Sequence, residues 1–133
     1  MKAEDLMVGD WVLLFGDTLT RVDCIGNVEV YLNAADTGDW RTTYEHIQPI
    51  PLTPEILQAN GIQLVEVGDN GISTPAKFRN RFEKWAIRTE WRDTWLWYDR
   101  TTKRYNLHGA QFTMVHELQH ALRLAGIQKD IAL

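Results

Sequence analysis

Apolar and polar positions change period along this chain, and the changes mark its elements. Trp11-Val12-Leu13-Leu14-Phe15 is an apolar run, entered through Val8-Gly9-Asp10 and left through Gly16-Asp17. Residues 18–25 alternate loosely. Gly26-Asn27 is a turn dipeptide leading into Val28-Glu29-Val30-Tyr31-Leu32, a strict alternation that places Val28, Val30 and Leu32 on one face. Residues 33–39 read as a polar loop and 40–44 as a further strand. Short strands at this spacing, joined by Gly, Asn and Asp turns, predict a small SH3-like β-barrel or a strongly bent sheet.

The stretch Pro49-Ile50-Pro51-Leu52 is extended, because each proline fixes its own φ and biases its predecessor away from helix. Thr53 is then a good N-cap, Pro54 a good first helical residue and Asn60-Gly61 a stop, which predicts a short helix over 54–60. Strand patterning returns at 62–67, followed by a loop over 68–75. Residues 82–88 alternate, with Trp85 and Ile87 on one face. Thr94-Trp95-Leu96-Trp97-Tyr98 is a further strand, with 104–107 as its partner across a hairpin loop at 99–103. The period then becomes helical from about 110 to 125, with Gly126 at C′, and 131–133 add a last short strand. The fold class expected is α+β. It comprises a β-rich subdomain over 1–52, a linker helix over 53–61, and an α+β subdomain over 62–133 whose antiparallel sheet is packed by the helix near 110–125.

Length and composition bound the function classes. A chain of 133 residues suits one domain or two small subdomains. Cys24 is the only cysteine, which excludes an internal disulfide framework and a Cys-rich metal site, and its strand setting reads as a buried small residue. No apolar run approaches the ~20 residues needed to span a bilayer, and the N-terminus lacks a signal-peptide core. The expectation is a soluble, cytoplasmic protein with no membrane partner. The formal net charge of −4 is unevenly spread. Residues 1–72 carry three basic and twelve acidic side chains, and residues 73–104 nine basic and four acidic. Such asymmetry suits mutual attraction of two subdomains or a basic patch for a partner.

One string carries recognisable chemistry. His116-Glu117-Leu118-Gln119-His120 matches the H-E-x-x-H pattern of zinc peptidases. There two imidazoles on one helix side hold Zn²⁺, and the Glu acts as general base on the metal-bound water. This yields one candidate function, a small zinc hydrolase with Glu117 catalytic and His116 and His120 as ligands. Context opposes it. Catalytic zinc takes three protein ligands, yet neither His108 nor Asp130 stands at a familiar ligand spacing. At 100° per residue Met114, Val115, Leu118, Ala121, Leu122 and Ala125 form an apolar arc, and the two histidines fall nearly opposite it, beside Thr113 and Arg123. That pattern predicts a solvated histidine face with no cofactor.

A resemblance points the same way. Met1-Lys2-Ala3-Glu4-Asp5-Leu6 with Gly9-Asp10-Trp11-Val12, the stretch Ile47-Gln48-Pro49-Ile50-Pro51-Leu52-Thr53-Pro54-Glu55-Ile56-Leu57 and the closing Val115-His116-Glu117-Leu118-Gln119 form a set. Together they resemble a family of small proteins of Bacteroides-type genomes, often encoded near prophage or mobile-element genes. In that family the closing motif often reads His-Gln-Leu-Gln-Asn, with neither the base nor the second ligand. The resemblance therefore implies that the helix serves packing or partner binding. It implies a non-enzymatic interaction or accessory protein, with a protein as the expected partner.

The six tryptophans supply a third candidate. Trp91, Trp95 and Trp97, with Tyr98 and Tyr105, lie among Arg88, Arg92, Arg100, Lys103 and Arg104. Aromatic side chains on a sheet flanked by cations stack single-stranded bases and track phosphates. The candidate nucleic-acid residues are Trp95, Trp97, Arg92, Arg100 and Arg104. The competing expectation puts Trp95 and Trp97 on the core face, under the last helix, with the arginines solvated.

Overall fold

The computed structural model describes residues 1–35, 37–65 and 76–133. It is α+β, with two antiparallel five-stranded sheets and three short α-helices among those residues. The chain divides into two compact units, 1–51 with 114–120 and 52–113 with 121–133.

The first unit holds β1 (Trp11–Leu14), β2 (Thr18–Ile25), β3 (Glu29–Ala34), β4 (Gly38–Thr43) and β5 (Ile47–Gln48), in the order β4-β3-β2-β1-β5. Alternation decides which side chains turn inward: Val30, Leu32 and Ala34 of β3 are buried, as are Val12 and Leu14 of β1. With Leu6, Val22 and Ile47 most of these form one apolar cluster, against which Met1, Ile25 and Tyr44 pack. Val28, expected on that face, precedes the strand and is exposed. The small barrel expected here is not closed: among the described residues β4 and β5 are the outer strands of an open sheet. Cys24 is also corrected. The register of β2 against β3 shifts between Val22 and Cys24, and the extra residue turns Asp23 and Cys24 out to solvent.

The second unit opens with α1 (Pro54–Ala59), where the Thr53 hydroxyl accepts the Ile56 N–H at 3.3 Å and Gly61, at φ 73°, follows the Asn60 cap. Its sheet holds β6 (Gln63–Val65), β7 (Phe82–Arg88), β8 (Asp93–Asp99), β9 (Arg104–Leu107) and β10 (Ala110–Phe112), in the order β10-β9-β8-β7-β6. A short helix, α2 (Ala76–Arg81), precedes β7. The expected loop over 68–75 and the end of the strand expected over 62–67 lie outside the described residues.

The last helix, α3, spans Val115–Leu124. Its expected first turn is instead β10, because His108-Gly109, at φ 51° and 90°, makes a two-residue hairpin between Leu107 and Ala110. The helix ends where Gly126 was expected to stop it. Ile127 donates to the Leu122 carbonyl at 2.9 Å and Gly126 to that of Arg123 at 3.0 Å, the paired bonds of a Schellman cap, with Leu122 and Ile127 both buried. No strand forms at 131–133. There the Asn60 amide bonds both backbone groups of Ala132, at 2.8 and 2.9 Å, as a strand neighbour would.

No helix among the described residues is long and apolar enough to cross a membrane.

Candidate functional site

The H-E-x-x-H string occupies the first turns of α3, and its side chains are committed to the fold. Glu117 is the third helical residue. Its Oε1 accepts the N–H of Met114, the residue before the helix, at 3.2 Å. This is the reciprocal half of a capping box, and it directs the would-be general base along its own helix.

The histidines do not face open water as expected. His116 is only 7% exposed, and His120 keeps a side-chain exposure of 23%. The covering element is the turn over 7–10, which the sequence pattern marks only by its Gly9-Asp10 dipeptide. Gly9 has φ 93°, as a type II turn requires at that position, and the Asp10 N–H donates to the Met7 carbonyl at 3.1 Å. The fully buried Asp10 side chain accepts the Met7 N–H at 2.7 Å, and the same oxygen lies 2.6 Å from His120 Nε2. Gln119 completes the link: its Oε1 accepts the Trp11 N–H at 2.9 Å, and its Nε2 donates to the Gly9 carbonyl at 3.0 Å. Arg21 donates to the same carbonyl at 3.1 Å and lies over the Trp11 ring at 4.9 Å. Val115, Leu118, Ala121 and Leu122 of the apolar arc are buried, and so are His116 and Gln119 outside it, while Arg123 and Leu124 stay exposed.

The two imidazoles meet edge to face with centroids 5.5 Å apart. Burial pushes the His116 imidazole below its usual range, since a cation there would lose its water; the Asp10 and Glu117 charges oppose that shift. His120 Nε2 is the ring nitrogen that faces the Asp10 carboxyl. Zinc ligation through that nitrogen would break the bond and leave a buried carboxylate to be compensated. Among the described residues no group of three His, Cys, Asp or Glu side chains is arranged to hold a metal ion. The arrangement thus clamps a turn to a helix by hydrogen bonds. Asp10 and Gln119 are the residues missed from sequence, and the signal available for them was the Gly9-Asp10 turn dipeptide.

The tryptophan segment forms a second cluster, on the sheet of the second unit. Trp95 and Trp97 do not turn to the core. Thr94 and Leu96 are buried instead, opposite Ile87 and Trp85 of β7, while Trp95 is 37% exposed and Trp97 partly exposed. Trp85, fully buried opposite Leu96, fills the inner face that two more indoles would have occupied. The outer face carries a cross-strand row of Lys84, Trp97, Asn106 and Gln111, beside Trp95 opposite Ala86 and Arg104 opposite Asp99. Lys84 Nζ lies 3.9 Å from the Trp95 ring centroid and 5.7 Å from that of Trp97. Phe78 of α2 meets Trp97 edge-on at 5.7 Å.

Of the arginines singled out from sequence, Arg104 reaches this face. Arg100 instead donates to the Arg79 and Asn80 carbonyls and to Glu83, and Arg92 lies in the loop before β8, where its backbone bonds Thr89. Arg81 pairs with Asp99 through two hydrogen bonds of 3.0 and 2.9 Å, which hold the Asp99 carboxyl down at about 2.

No family model, curated protein or solved structure matches this chain.

Proposed function

We propose that this protein is a non-enzymatic binding protein, in which the H-E-x-x-H string is a structural clamp and the outer face of the second sheet meets the partner. One observation carries the reading. Three of the four polar side chains of the string hydrogen-bond within the fold, Glu117 on the helix cap, Gln119 on the Gly9–Trp11 backbone and His120 on Asp10, while His116 is buried against the His120 ring. A hydrolase would need Glu117 turned to a metal-bound water and both imidazoles turned to one ion. The sheet face supports the positive half of the reading. Indoles left at a surface with a cation beside them are the side chains that most often anchor a partner.

The test is metal content. Protein purified without added zinc or chelator and dialysed is expected to hold zinc well below one ion per chain. A one-to-one content that survives dialysis and is lost in His120→Ala would overturn the reading.

A further inference from the structure

We infer that the partner of the second sheet's outer face is a single-stranded nucleic acid; this rests on the binding-protein reading above. Trp95 and Trp97 lie on β8, the central strand of five. They stand two residues apart on one face, hence about 6.8 Å apart along the strand. That is about twice the 3.4 Å spacing of stacked nucleotides. The two indoles thus suit bases that are splayed out of a stack, a state a single strand adopts and a duplex does not.

The neighbouring side chains supply what the rest of a nucleotide needs. Lys84 Nζ sits beside both rings, where the phosphate linking two stacked bases would pass. In the same cross-strand row as Trp97, Gln111 offers its amide to base edges and Asn106 its Nδ2, the Asn106 Oδ1 accepting the Gly109 N–H at 3.0 Å. Phe82, Trp97, Arg104, Asn106 and Gln111 also line a cavity of about 210 Å³ on this face. When a base takes the Trp95 face now covered by Lys84, the ammonium moves to the phosphate.

Charge complementarity selects a polyanion. The acidic side chains on β7 and β8 are matched by arginines, Asp99 by Arg81, Glu83 by Arg100 and Asp93 by Arg88. Among the described residues, Lys77, Lys84, Lys103 and Arg104 have no such acidic partner. An acidic peptide would satisfy these cations but does not bring a flat ring with each charge. A single strand brings both. The acidic remainder of the chain repels the same ligand, so binding is expected to be modest and favoured by low salt.

The test is fluorescence anisotropy of a labelled oligothymidine of roughly 12 nucleotides, within the range that single-strand sites cover. Wild type is expected to bind at low salt with a log–log salt slope of about −2 to −3, as for three or four phosphates. Trp95→Ala should bind about five- to 150-fold more weakly while keeping its circular dichroism spectrum. Lys84→Gln should reduce the slope by about 0.7, the loss of one phosphate contact. Trp91→Ala, at a site 87% exposed and off the strands, should bind as wild type. No binding at low salt would overturn the inference, as would full binding by Trp95→Ala or equal affinity for a duplex. Capture of an extended acidic peptide in place of the oligonucleotide would assign the face to a protein and would equally overturn it. Failure of the broader binding-protein reading would appear separately, as stoichiometric zinc.

Discussion

Replacing Gln119 by Ala should destabilise the protein by about 2–3 kcal/mol, although the residue lies outside the apolar arc of its helix. The magnitude follows from the two bonds its amide makes. One accepts the Trp11 N–H at 2.9 Å and the other donates to the Gly9 carbonyl at 3.0 Å, from a side chain that is 5% exposed. Each bond contributes about 0.5–1.5 kcal/mol net, and a buried group left behind costs about 1–3 kcal/mol. The Gly9 carbonyl keeps its bond from Arg21, so the larger penalty falls at Trp11. At roughly 4 °C per kcal/mol for a domain of this size, the melting temperature should fall by about 8–12 °C. Urea unfolding followed by tryptophan fluorescence reads the change as a lower midpoint at unchanged slope. Leu124→Ala, on the same helix but 87% exposed, should stay within about 0.5 kcal/mol of wild type. A Gln119→Ala protein as stable as wild type would refute the clamp, and so would an equal loss in Leu124→Ala.

Glu117→Ala should lower stability by about 0.5–1 kcal/mol through loss of the cap bond, while Glu117→Gln, which keeps an accepting oxygen, should retain most of it in the same urea assay. Burial lowers the His116 imidazole in the folded state, so the unfolded chain binds the extra proton. Stability from this group is therefore full above about pH 6.5 and is lost as pH falls through the lower folded value. Urea midpoints measured from pH 8 to pH 5 should decline on the acid side, and His116→Phe should flatten that decline. An unchanged decline in the variant would place its origin elsewhere.

The strand content was legible because burial on one side writes period-two patterns. β3, β7 and β8 stand within a residue or two of where alternation puts them. The cap signals at Thr53, Pro54 and Gly126 read correctly because each acts within a few residues of itself. Non-local choices were not legible. Alternation shows that Trp95 and Trp97 share a face but not which face, and the buried Trp85 decides it from another strand. The histidine side of α3 reads as solvated because its cover, Gly9 to Trp11, lies more than a hundred residues away in sequence. Hydrogen bonds between short polar side chains and a distant turn leave no period. The start of α3 was misplaced because a two-residue turn at His108-Gly109 overrode a helical pattern.

The structural role of the H-E-x-x-H string is tested most directly by unfolding the wild-type protein in excess EDTA and in excess zinc. An ion bound to the folded state alone stabilises it by about 2.7 kcal/mol at a concentration 100 times its dissociation constant. A clamp made of hydrogen bonds to Gly9, Asp10 and Trp11 predicts the same urea midpoint in both conditions. A higher midpoint in zinc, absent from His120→Ala, would contradict it.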